Sequence, residues 1–190
     1  MDKARRMGLD RPLRKPKQEE VSLSIFAFLF SEFVQYSQSR VATFAELDKR
    51  LVEAGKGVGY RVLELSGYRE KISRRETKVV SILSFIHSTI WKSLFGKAAD
   101  SLEKSTEHDD EYMIIDNDML VNKYISVPKD LGNLTCAAYV AGIVFGILDG
   151  AEFTPEKVSA HSINVEGQPY PKTVILIKFK PDIIERDNAL

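Results

Sequence analysis

Cysteine is nearly absent from this chain. Cys136 stands alone among 190 residues, which excludes an intrachain disulfide framework and any multi-cysteine zinc site. A single thiol fits a reducing compartment. Histidine is almost as scarce. His87, His108 and His161 share no metal-ligand spacing with one another or with Cys136, so packing or surface roles are expected for them. Long apolar runs are also missing. The longest uncharged stretch, Leu131 to Leu148, carries Asn133 and Thr135 and is marginal even for the short end of a membrane span. The apolar stretch Val21 to Phe30 follows a basic segment, as in a signal peptide. Glu19 and Glu20 at its mouth, and Glu32 with Phe33 where small residues should stand, argue against one. Pro12 and Pro16 spoil the amphipathic helix of a mitochondrial presequence. No lipidation signal is seen at either end.

What is present is an ordinary globular composition, 44% apolar and 28% charged, enough chain to bury a core without staples. The 27 basic and 27 acidic residues cancel unevenly. Residues 1–17 hold seven Lys or Arg against two Asp, a net of +5, and the remaining 173 residues carry −5. Residues 1–20 therefore read as a basic flexible arm and residues 21–190 as one domain. The arm has no aromatic residue for base stacking, so no nucleic-acid partner is expected. A solvated arm, or contact with a protein or an anionic membrane surface, remains.

Residues 21–39 read as a helix with two apolar faces. Leu23, Phe26, Phe30 and Phe33 recur at three- and four-residue steps, while Ile25, Phe28, Leu29 and Tyr36 cover much of the rest. Such a helix must be buried on more than one side. The candidate partner contact is Leu23, Phe26, Phe30 and Phe33; the alternative turns these inward and leaves Ile25, Leu29 and Tyr36 outside. Thr43 and Glu46 form a capping box for a second helix, with Gly55 as its stop and a short helical piece at 60–68. The stripe Val79, Ile82, Leu83, Ile86, Ile90, Leu94 predicts a long helix from about Glu76 to Leu102. Glu103 to Glu111 reads as an acidic loop. Strands are expected at 112–115, 121–127, 158–165 and 173–179, with a helix over 133–149. Helices, hairpin, helix, hairpin is an α+β order, helices packed on one side of an antiparallel sheet.

Little of this suggests chemistry. Gly55, Gly57 and Gly59 follow a helix where a phosphate loop needs a strand, and their spacing matches neither nucleotide-binding fingerprint. Glu107 to Glu111 lacks the spacing of a calcium loop. Cys136 falls in an apolar helix where a thiol is inert. No catalytic residue, cofactor or metal site is expected. The 133–149 helix is more informative. Ala138, Gly142 and Gly146 recur at four-residue steps. Each mid-helix glycine costs about 1 kcal/mol against alanine, which points to a close-packing groove holding another element's backbone or, in principle, an acyl chain.

Several longer stretches carry a resemblance. They are F-I-H-S-T-I-W-K-S-L-F-G-K-A-A-D at 85–100, L-E-K-S-T at 102–106, E-Y-M-I at 111–114, I-S-V-P-K-D at 125–130 and V-A-G-I-V at 140–144, with S-I-F-A-F-L-F-S-E-F-V-Q-Y at 24–36. Together they resemble the small-subunit family of the transport protein particle (TRAPP) complex. The resemblance implies a cytosolic, non-catalytic subunit of a vesicle tether in endoplasmic reticulum to Golgi transport. The complex as a whole is a guanine-nucleotide exchange factor for a Rab GTPase. Implied partners are other TRAPP subunits, met through the N-terminal helices, and the Rab through the assembled complex, with peripheral contact to Golgi or endoplasmic reticulum membranes. One sibling subunit carries an acyl chain on a cysteine, a position Cys136 does not match. The alternative reading is a small domain that binds an apolar ligand without a complex.

Overall fold

A computed structural model describes residues 22–70, 75–125, 135–164 and 171–189. The proposed boundary between arm and domain at residue 20 lies outside them. The described elements are helices α1 (Leu23–Gln38), α2 (Phe44–Glu70) and α3 (Val79–Phe85), a π-helical turn (Ile86–Ile90), and α4 (Trp91–Phe95). Strands β1 (Ser101–Lys104) and β2 (Glu111–Asp116) follow, then helices α5 (Leu120–Lys123) and α6 (Ala138–Gly150). Strands β3 (Pro155–Ile163) and β4 (Lys172–Phe179) and helix α7 (Pro181–Asn188) complete the order. The strands form one antiparallel sheet in the order β1-β2-β4-β3. Register places Leu102 opposite Ile114, Ile114 opposite Ile175, and Tyr112 opposite Ile177. With Phe179, these residues line the sheet face that meets the helices in the core. The fold is the expected α+β arrangement.

Helix α2 begins where the capping box predicts. The Glu46 carboxylate accepts from the Ala42 and Thr43 amides at 2.9 and 3.4 Å, and the Glu46 amide donates to Thr43 Oγ1 at 3.3 Å. It does not stop at Gly55. It runs unbroken through Gly55, Gly57 and Gly59 to Glu70, so the separate piece at 60–68 is its second half. The reason lies in α6. A Cβ on Gly55 or Gly59 would collide with the carbonyl oxygen of Tyr139 or Ile143, and would lie 3.0 Å from the Cα of Gly142 or Gly146 respectively. The converse holds as well: a Cβ on Gly142 or Gly146 would collide with the carbonyl of Val52 or Lys56. Two helices with glycines four residues apart thus touch backbone to backbone. The loss of apolar area at each glycine is offset by an axial approach that no larger side chain permits.

Other differences have local causes. The helical stretch from α3 ends at Phe95, before the expected Leu102, because Gly96 takes a left-handed conformation with φ +79°. The Ala99 amide then donates to the His87 carbonyl at 3.1 Å, which turns the chain toward the sheet. Strand β1, Ser101–Lys104, takes the last two residues of the expected helix and the first two of the expected acidic loop. As a short edge strand it buries little, so its polar residues gave no apolar alternation. The expected strand at 121–127 begins as the helical turn α5, and its residues 126 and 127 lie outside the described ones, as do residues 133 and 134 of the expected 133–149 helix. Helix α7 has the proline-at-N1 start and sends Ile183 into the core.

A buried polar brace ties α4 to the sheet. Asp116, 1% exposed, accepts from Trp91 Nε1 at 2.8 Å, Lys97 Nζ at 2.8 Å and the Asp118 amide at 2.9 Å. Three donors answer the cost of burying the carboxylate.

The glycine contact makes opposite expectations for two helical glycines, Gly57 in α2 and Gly142 in α6. A Cβ on Gly57 meets only Arg61 Nη1, at 3.9 Å, so Gly57→Ala should stabilise the chain by about 0.5–1 kcal/mol through helix propensity. Gly142→Ala should destabilise it by about 1–3 kcal/mol, because overpacking exceeds that gain. Urea unfolding of both variants checks this, and a shift of the same sign in both would contradict it.

Candidate assembly interface

Helix α1 has two opposed apolar faces. At 100° per residue, Phe26, Phe30, Val34 and Ser37 fall on one side, and Ile25, Phe28, Leu29 and Tyr36 on the other. The first side is internal. Phe30 is 6% exposed, Val34 and Ser37 are buried, and Phe26 and Phe33 pack against the core. An aromatic cluster fixes this side: Phe26 stacks on Phe30 at 5.7 Å between centroids, and Tyr139 of α6 meets Phe30 at 5.4 Å and Phe33 at 5.9 Å. The second side is open. Ile25 is 63% exposed, Phe28 78% and Leu29 70%, with Tyr36 half-exposed. Large apolar groups in such a row form an exposed apolar patch.

The structure places the two candidate sets of α1 on different sides of the helix. Of Leu23, Phe26, Phe30 and Phe33, the candidate contact residues, only Leu23 is exposed. The other three are spent on the chain's own core. The outward set is Ile25, Phe28, Leu29 and Tyr36, the alternative arrangement with Phe28 added. The aromatic ring of Tyr139 holds Phe30 and Phe33 inward, and its position depends on α6 packing that the local α1 pattern does not encode.

The close-packing groove at Ala138, Gly142 and Gly146 is occupied by the α2 backbone at Val52 and Lys56. It holds a helix and leaves no room for an acyl chain. At the far end of this contact Tyr60 donates a hydrogen bond to Asp149, which also accepts from Thr154 Oγ1 at 2.7 Å. The Tyr60 and Thr154 hydroxyls hold the Asp149 carboxyl below the usual carboxylate range. A cavity of about 320 Å³ opens nearby, lined by Leu63, Gly67, Ile82 and Phe85. Arg75 stands at its edge, paired with Glu152 at 2.7 Å.

Cys136 is 1% exposed at the foot of α6. Burial first, then the negative charge of Asp48, pushes its thiol up to about 11. Among the described residues no group of His, Cys, Asp and Glu is placed to hold a metal ion. None of the described helices is long and apolar enough to cross a membrane.

The site is thus an open apolar face on the first helix of a fold in which helices pack on a four-stranded antiparallel sheet. The family model of the Transport protein particle (TRAPP) component matches residues 26–180, and the chain belongs to that family. Within it, the chain is 61% identical to trafficking protein particle complex subunit 5 of Dictyostelium discoideum, over 98% of this chain and 100% of the relative. It is 47% identical to subunit 5 of Homo sapiens, over 96% of this chain and 92% of the relative. Among solved structures, it is similar in fold to subunit 3 from Naegleria fowleri, a protein covalently bound to palmitic acid. The TM-score is 0.69 at 16% identity, covering 85% of this chain and 97% of that one.

The buried thiol yields a direct test. In the folded chain at pH 8, Cys136 should react with iodoacetamide at least about 100-fold more slowly than in urea, because only the thiolate attacks and little of it forms. Equal rates in both states would contradict its burial.

Proposed function

We propose that this chain is a non-catalytic structural subunit of the TRAPP complex. It holds sister subunits at fixed geometry, so that the assembled surface exchanges guanine nucleotide on a Rab GTPase in endoplasmic reticulum to Golgi transport. The observation that carries this is the pair of opposed apolar faces on α1. One face is used internally, and the other is large, rigidly held and uncovered. Family membership supplies the kind of partner, since the relatives are subunits of that particle. In this reading the chain works in the cytoplasm, peripheral to endoplasmic reticulum and cis-Golgi membranes. The +5 charge of residues 1–17 suits attraction to anionic lipid headgroups, on the order of 1 kcal/mol per basic residue near the surface.

The cavity beside Leu63 and Phe85 favours a second reading, a domain that binds a small apolar ligand on its own. Purification of the tagged chain from its own cells separates the two. Sister subunits in stoichiometric amounts are expected with the wild type, and a lone chain carrying lipid supports the second reading. Phe28→Asp should reduce recovery of the sister subunits at least about tenfold, since burying a phenylalanine contributes about 1.5–3 kcal/mol and an unpaired carboxylate adds its own penalty. Its circular dichroism should be unchanged. Undiminished recovery with Phe28→Asp would place the interface elsewhere.

A further inference from the structure

The outer stripe of α1 contains a charge. Glu32 is exposed and lies within about 20° of Ile25 on the helical wheel, between Phe28 on one side and Leu29 and Tyr36 on the other. Among the described residues it has no hydrogen bond or ion pair. At the end of the same stripe two arginines crowd Tyr36. The guanidinium of Arg40 is 4.3 Å from the ring centroid and that of Arg50, from α2, is 5.9 Å away. Neither arginine has a carboxylate in ion-pair range among the described residues. The stripe thus carries a fixed charge pattern: negative in the middle and positive at the α2 end.

Resting on the reading of this face as the assembly surface, we propose that Glu32 selects the partner. It admits a helix from a different TRAPP-fold chain, with a basic residue opposite Glu32 and an acidic one near Arg40 and Arg50, and it excludes a second copy of this chain. Symmetry gives the argument. A pair of identical chains meets through the same patch on both. Parallel pairing places Glu32 on Glu32 and the arginines on the arginines. Antiparallel pairing about the centre of the stripe sets each Glu32 opposite Leu29, with the two Glu32 positions only about 4.5 Å apart along the axis, inside an apolar contact where an unpaired charge is costly. The antiparallel register that would pair Glu32 with Arg40 slides Ile25 and Phe28 past Gln38, the end of the other α1, so that helix no longer covers them. No symmetric arrangement covers the apolar residues and neutralises the charges at once. A different chain faces no such conflict.

A charge-swap mixture tests this with the full chain, because Glu32 is exposed and its substitution leaves the core intact. Sedimentation would be measured for wild type, for Glu32→Lys, and for an equimolar mixture. The mixture supplies opposite charges at the contact and should associate at least about tenfold more tightly than either chain alone. A mixture no tighter than either chain alone would overturn the role of Glu32. Adding Phe28→Asp to one chain of the mixture should abolish the association. If the mixture associates and this second change leaves it intact, the contact is not on α1 and the underlying interface reading fails instead. In the particle purified from cells, Glu32→Lys should lower recovery of sister subunits at least about tenfold. Recovery equal to wild type, with Phe28→Asp still disruptive, would remove Glu32 as the selecting residue and leave the interface in place.

Discussion

Everything outward-facing in this molecule depends on the backbone contact between α2 and α6. Gly55 and Gly59 lie against the α6 backbone, and Gly142 and Gly146 against the α2 backbone. Four missing side chains let the helices approach to van der Waals contact along their main chains, a geometry with no freedom to slide. Helix α6 is then the hub. On its other sides it buries Val140, Val144, Ile147 and Leu148 within the core shared with the sheet, and it offers Tyr139 to the phenylalanines of α1. The orientation of α1 is therefore inherited. Once Tyr139 is fixed, Phe30 and Phe33 turn inward, and Ile25, Phe28 and Leu29 must turn outward.

Much of this was legible in the sequence, and the failures are instructive. The stripe Val79, Ile82, Leu83, Ile86 and Ile90 is buried as its period requires. In the row Ala138, Gly142, Gly146, the two glycines lie against the α2 backbone at Val52 and Lys56. Its counterpart on α2, Gly55, reads as a helix stop, because a terminal glycine and a contact glycine look alike within one segment. The distinguishing signal was present: both segments space their glycines by four. Strand β1 left no trace because, of its four residues, only Leu102 packs against the core. The two faces of α1 could not be ranked locally, since both are apolar. The choice belongs to Tyr139, far along the chain.

The same logic separates what holds the fold from what serves assembly. Asp116, with Trp91 and Lys97, is satisfied internally, and so is the Tyr60–Asp149–Thr154 group. Glu32, Arg40 and Arg50 instead leave their charges unanswered by any opposite charge among the described residues. Exposed apolar groups beside unpaired charges are poor choices for a chain that acts alone and suitable ones for a subunit.

The central claim is that the inner and outer faces of α1 serve different masters, one the fold and the other the particle. Oxidative footprinting of the isolated chain and of the intact particle tests it most directly. Ile25, Phe28, Leu29 and Tyr36 should be modified readily in the isolated chain and severalfold more slowly in the particle, while Phe30 stays slow in both. Unchanged modification of Phe28 and Leu29 on assembly would contradict the account.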